Sequence, residues 1–243
     1  VDDDPMQLGR FHSVTVPVLG NAAVTAEAML ASLPGSVASA DRSDLIADRW
    51  RIWRAEKERR VADDRGEGVS SAAVFAALTT ATPADAVIAV DVGTNAYSFG
   101  RYFECDRQAI LMSGYLGSIG FGFPAAMGAW AAAPDRAVVA VTGDGGFGQY
   151  MAEITTAVKH EMPIKHVLLN NSELAKISKE QRDAHLAVWQ TSLHNPDFSR
   201  FAENAGARGI RVTRREELAD AFAEMYAHPG PVLVEVLVDS GLL

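Results

Sequence analysis

The stretch Ala137 to Glu173 constrains the fold more than any other part of the chain. It opens with a β-rich apolar run, Ala137 to Val141, and passes through the glycine turn Gly143-Asp144-Gly145-Gly146. A helical period follows, with Tyr150, Ile154, Ala157 and Val158 on one face, and Pro163 closes it because proline cannot continue a helix. A second apolar run, Ile164 to Leu169, ends in the polar pair Asn170-Asn171. Strand, glycine turn, helix and strand make a βαβ unit, whose right-handed crossover brings both strand carboxyl ends to the same edge of a sheet. Parallel neighbours lie about 4.8 Å apart, so Asp144 and Asn171 meet there.

A carboxylate and an amide oxygen are hard ligands suited to Mg²⁺ or Ca²⁺, and two are too few for a shell of about six oxygens. A diphosphate would supply both the missing oxygens and the negative charge. The glycines let backbone N–H groups approach such a ligand, and a helix opening near Gly148 directs its positive end to the same place.

The rest of the chain repeats the alternation. Helix is expected over Ser70 to Thr80, strand over Ala86 to Asp91, helix from Asn95 to Phe103 and a short strand near Ile110. A helix from Pro124 to Ala133 precedes the central unit. Beyond it come helix (Leu174 to Ala184), an irregular segment, helix (Phe198 to Ala205), strand (Gly209 to Val212), helix (Arg215 to Ala227) and strand (Val232 to Val238). The fold class is α/β, a parallel sheet covered by helices on both faces, with ligands bound at the strand carboxyl ends.

Three segments are expected: residues 1–35, with a short strand and a helical pattern from Val24 to Leu30; residues 36–68, a linker and a charged connecting helix from Asp41 to Asp64; and residues 69–243, the main domain. The 243 residues are 48% hydrophobic, ample for a core, and the formal charge of −9 argues against nucleic acid or anionic membrane as partner. Trp50 and Trp53 among arginines read as a helix docking on its own domain. Gln108 to Pro134 carries no charge, but glycines interrupt it too often for a spanning helix. The single cysteine, Cys105, excludes an intrachain disulfide and fits a reducing cytoplasm. No histidine pair has metal-ligand spacing.

Gly143-Asp144-Gly145, followed across a helix and a strand by Asn170-Asn171, resembles the diphosphate-binding signature of thiamine diphosphate (ThDP) enzymes. The resemblance implies Mg²⁺ on Asp144, Asn171 and the backbone carbonyl of Glu173, with the diphosphate beside Gly143, Gly145 and Gly146. Asp91-Val92-Gly93-Thr94-Asn95 resembles the loop that touches the diphosphate, which would place Asp91 and Gly93 in the site. In Gly117-Ser118-Ile119, Ile119 takes the place of the apolar residue that props the bent coenzyme, with Gly117 and Ser118 beside the pyrimidine.

Ile177-Ser178-Lys179-Glu180-Gln181 resembles the pyruvate oxidase and pyruvate dehydrogenase (quinone) branch, in which Ile177 and Glu180 would face the reacting centre; Ala175 departs from the glycine usual there. Asp2-Asp3-Asp4-Pro5 is similar to the end of that branch's flavin-binding middle domain, so residues 1–35 would be its remnant and Asp4 would lie near FAD. An acidic loop without a ligand explains the same residues. The resemblance thus implies the C-terminal part of an enzyme decarboxylating a 2-oxo acid, with oxygen or quinone as electron acceptor. An acetolactate synthase-like carboligase and a non-catalytic diphosphate-binding module are the alternatives. It implies a homodimer or homotetramer and an N-terminal pyrimidine-binding domain, absent from this chain, whose glutamate activates ThDP; the chain alone is then expected to be inactive.

Overall fold

A computed structural model describes residues 1–35 and 40–242. Four of the expected linker residues, 36–39, lie outside the described residues. The chain divides into two compact units, Val1–Arg51 and Ile52–Leu243.

In the first unit, the expected opening strand is reduced to one bridge between Asp2 and Leu19. Helix α1 (Ala22–Ser32) starts where Asn21 caps it, the side-chain oxygen accepting the Ala23 and Val24 amides. No apolar side chain of this unit is buried among the described residues. Helix α2 (Ser43–Ala62) contributes residues to both units.

The second unit follows the alternation read from the sequence: α3 (Ser71–Ala81), β1 (Val87–Val90), α4 (Thr94–Tyr102), β2 (Ala109–Met112), α5 (Gly122–Ala132), β3 (Val138–Gly143), α6 (Asp144–Tyr150) and α7 (Ile154–Lys159). Then come β4 (Lys165–Asn170), α8 (Ala175–Asp183), α9 (Phe198–Asn204), β5 (Arg208–Val212), α10 (Leu218–Ala227) and β6 (Val232–Leu237). The six strands form one sheet in the order β2-β1-β3-β4-β6-β5, every pair parallel.

Strands with both faces covered read as continuous apolar runs, and β1, β3, β4 and most of β6 are buried along their length. Phe75 and Leu78 of α3, Phe99 of α4 and Phe222 and Met225 of α10 pack against Ile88, Val90, Val139, Val167 and Val234 on one face. Phe123 of α5, Phe147 of α6, Ile154 of α7 and Phe198 of α9 pack against Ala89, Val138, Ala140, Leu168 and Leu233 on the other. Each such buried large side chain contributes about 1.5–3 kcal/mol.

The sheet winds both ways from its middle. β1 leads through α4, on the first face, to its outer neighbour β2; β3 leads through α6 and α7, on the second face, to β4. The crevice between the carboxyl ends of β1 and β3 is the switch point at which open α/β sheets bind ligands.

The helix after the glycine turn departs from the reading in two ways. It opens at Asp144 rather than near Gly148, and a 3₁₀ turn, Met151–Glu153, breaks it into α6 and α7. The break rotates Tyr150 away from the buried face, leaving it exposed while Ile154 and Ala157 remain in the core.

Candidate functional site

A cavity of about 520 Å³ opens at the switch point, within the range of small-molecule sites. The end of β1 contributes Val92, Gly93, Thr94 and Asn95; the end of β3 contributes Gly143, Asp144, Gly145 and Gly146; the end of β4 contributes Asn171 and Glu173. Gly117, Ile119 and Gln149 also line it, as do Leu174, Lys176 and Ile177 at the start of α8 and Leu193 beyond.

Asp144 is almost wholly buried, and its carboxylate is held by three donors. Oδ1 accepts the Gly145 amide at 3.0 Å; Oδ2 accepts the Ser172 amide and Nδ2 of Asn195, both at 2.7 Å. Burial pushes its pKa above the ordinary carboxylate value, and these hydrogen bonds oppose that rise. Asn171 folds over its own turn, Oδ1 accepting the Glu173 amide at 3.1 Å. Asp144, Asn171 and Glu173 thus share the cavity wall.

Asp91 behaves differently. Its carboxylate is 1% exposed and does not line the cavity. Oδ1 accepts the amides of Val92, Gly120 and Phe121 at 2.7, 2.9 and 3.1 Å, so the side chain ties the 113–121 loop onto the end of β1. Burial raises its pKa too, against those amide bonds. Gly146 lies against this carboxylate: a Cβ there would stand 2.1 Å from Oδ2 of Asp91. The third glycine of the turn is therefore required by packing on Asp91. Gly93, at φ 121° and ψ −164°, occupies backbone space essentially reserved for glycine.

The other residues singled out in the sequence divide as follows. Gly117 and Ile119 border the cavity, whereas Ser118 does not; its amide donates to Oγ of Ser113 at 3.0 Å. Leu116 and Ile119 are exposed, while Phe123 turns into the core. Ile177 lines the cavity, but Glu180 lies in an adjoining one with Arg101 and Lys179, paired to Lys176. Asp4, in the first unit, closes a turn through the Met6 amide at 2.9 Å and Nε2 of Gln7 at 3.3 Å.

Thr94 lies in the loop already named from the sequence, but its role was not; Oγ1 is buried beside the cavity without a hydrogen-bond partner among the described residues. Two further participants escaped the sequence altogether. Lys176 borders both cavities. Asn195 comes from the irregular segment before α9, where no local motif marks it.

The donors suit a hard cation with an oxygen-rich ligand. No cysteine or histidine lines the cavity, and among the described residues no group of three or more His, Cys, Asp or Glu side chains could hold a metal unaided. Asp144 and Asn171 offer oxygen alone, and the orphaned Thr94 hydroxyl can donate to an anion. The residues fit a diphosphate with Mg²⁺.

Fold and site together define a doubly wound parallel-sheet domain with a ligand cavity at its switch point, mostly apolar and carrying a few polar groups. Residues 91–236 match the thiamine pyrophosphate enzyme, C-terminal TPP binding domain family, and the chain belongs to it. It is 35% identical over 98% of its length to the Bacillus subtilis (strain 168) protein YdaP, provisionally described as thiamine pyrophosphate-containing, covering 41% of that protein. It is 34% identical to the acetolactate synthase isozyme 3 large subunit of Escherichia coli (strain K12), again over 98% of this chain, covering 43% of that protein. The thiamine diphosphate-dependent 4-hydroxybenzoylformate decarboxylase of Rhodococcus jostii RHA1 superposes with a TM-score of 0.68 at 27% identity, over 73% of this chain and 34% of that one. The chain thus spans less than half the length of these relatives. Among the described residues no helix is long and apolar enough to cross a membrane.

Proposed function

We propose that this chain supplies the diphosphate- and Mg²⁺-holding half of a ThDP-dependent enzyme that decarboxylates a 2-oxo acid. The observation that carries the reading is the meeting of the Asp144 carboxylate and the Asn171 amide at a cavity on the switch point. Asp144, Asn171 and the Glu173 carbonyl would hold the cation. Gly93, the Thr94 hydroxyl and the backbone at Gly143, Gly145 and Gly146 would receive the diphosphate. Ile119 and Ile177 give the cavity an apolar wall that orients the coenzyme and keeps water from its ring. When bound, ThDP supplies an electron sink for the bond that releases CO₂. Asp91 acts indirectly, by holding the loop that carries Gly117, Ser118 and Ile119.

Within this class, the run Ile177 to Gln181 supports a pyruvate oxidase-like enzyme using FAD and oxygen or quinone. Glu180 would then have to leave Lys176 to reach the reacting centre, and Asp4 would lie near FAD. The relatives named acetolactate synthase support a second reading, a carboligase. Both readings place the chain in a cytoplasmic homodimer or homotetramer whose N-terminal pyrimidine-binding domain supplies the activating glutamate.

In the full-length protein, Asp144→Ala should abolish Mg²⁺-dependent ThDP binding in calorimetry without unfolding the domain, circular dichroism reporting the fold. Unchanged affinity would overturn the site. Pyruvate turnover then separates the branches: acetate and CO₂ with a reduced acceptor mark the oxidase, acetolactate marks the carboligase, and neither product overturns pyruvate as substrate.

A further inference from the structure

The polar groups behind Asp144 form a continuous relay across the carboxyl end of the sheet. At its far end Glu235 of β6 is 0% exposed, and its carboxylate, as an ion, can only accept. Oε2 receives the Ser199 amide at 3.2 Å and Nη1 of Arg211 at 3.1 Å, and Arg211 also reaches Oδ2 of Asp197 at 2.9 Å. Oε1 receives Nδ2 of Asn170 at 2.7 Å.

That last bond orients the Asn170 amide, nitrogen toward Glu235 and oxygen away from it. Oδ1 of Asn170 then receives Nδ2 of Asn195 at 2.9 Å, and the same nitrogen gives its second hydrogen to Oδ2 of Asp144 at 2.7 Å. Flipping either amide would set oxygen against oxygen, so the order of donors and acceptors is fixed from Glu235 to Asp144. Oδ2 of Asp144 also takes the Ser172 amide, which engages both of its lone pairs, while Oδ1 takes the Gly145 amide and keeps one.

We propose that Asn195 is a positioning residue for the cation: it pins Oδ2 of Asp144 so that the carboxylate meets the metal through Oδ1 alone. The inference rests on reading Asp144 as a metal ligand. Its consequence is metal choice. One-oxygen ligation suits the small octahedral shell of Mg²⁺, whereas a carboxylate free to present both oxygens suits the larger and more flexible shell of Ca²⁺. Groups that orient a metal ligand typically carry about 10- to 100-fold in metal affinity.

The test measures ThDP binding by the full-length protein against MgCl₂ and against CaCl₂. Asn195→Ala should raise the Mg²⁺ concentration for half-maximal binding about 10- to 100-fold and the Ca²⁺ concentration by clearly less. Unchanged requirements for both would overturn the proposal. So would an equal rise for both, because general loosening of the fold does not distinguish the ions. Asn195→Ser keeps one donor and should shift the ratio in the same direction by a smaller amount; it carries the test if the alanine variant does not fold. Asp144→Ala separates the two levels of inference. If it leaves Mg²⁺-dependent binding intact, the ligand assignment fails and the positioning role with it. If it abolishes binding while Asn195→Ala changes nothing, only the positioning role fails.

Discussion

His166, in the middle of the sheet on β4, is 1% exposed between the rings of Phe147 and Phe123, at 4.5 and 5.1 Å. Nε2 meets Oγ1 of Thr142 at 2.7 Å, and Nδ1 has no hydrogen-bond partner among the described residues. Burial pushes its pKa down to about 3 from 6.5, so the folded protein holds it neutral. Between those values the unfolded chain binds the proton and the folded one does not. Stability is therefore complete above about pH 6.5 and falls as the pH drops toward 3, by up to about 1.4 kcal/mol per pH unit. Urea denaturation from pH 7 to pH 5 should show this slope in the wild type and a flatter one in His166→Gln; equal slopes would assign the acid sensitivity elsewhere. At this scale the sequence discloses residue type but not partner. Asp144 and Asn171 were legible because a βαβ unit alone brings them together. The role of Asp91 was not, since a strand-end carboxylate looks the same whether it faces a ligand or lies beneath the amides of Gly120 and Phe121. Asn195 could not be found locally, because its partners Asp144 and Asn170 belong to two other strand ends.

The elements were legible wherever periodicity and burial coincide, and the six strands of the sheet lie within a few residues of their expected bounds. The break between α6 and α7 was not, because Gln149 to Glu153 fits a continuous helix by propensity and only packing decides the turn. The segment after α8 offered no period at all. It folds back through an antiparallel bridge between Glu173 and Ser192, and the Thr191 hydroxyl meets Ser178 at 2.8 Å. Asp197 ends this segment by capping α9, its Oδ1 accepting the Arg200 amide at 3.0 Å. Asp197→Ala should therefore cost about 1–2 kcal/mol, combining a lost cap with a lost partner of Arg211. Denaturant midpoints measure it, and a loss under 0.3 kcal/mol or so would show that the cap is not limiting.

The two units differ in how much they bury. Val1–Arg51 contains no buried apolar side chain among its described residues, while Ile52–Leu243 encloses both layers of core. Segments without buried contacts open at low free-energy cost. Limited proteolysis of the chain should cut within residues 1–51 first and leave a resistant product that begins beyond them; early cleavage inside the sheet would contradict this. The strand order carries a further consequence, in time rather than space. β1 reaches β3 only after the chain has passed through β2 and α5, and Val87 pairs with Val138. Pairing across such an interval forms slowly because the loop must close before any contact rewards it. The Asp91 loop, the glycine turn and the Asn170-Asn171 corner acquire their relative positions only when β1, β3 and β4 have docked. During synthesis and refolding, helices can form well before a ligand has anywhere to bind, and the capacity to take up a cofactor becomes a late clock of maturation for the whole domain.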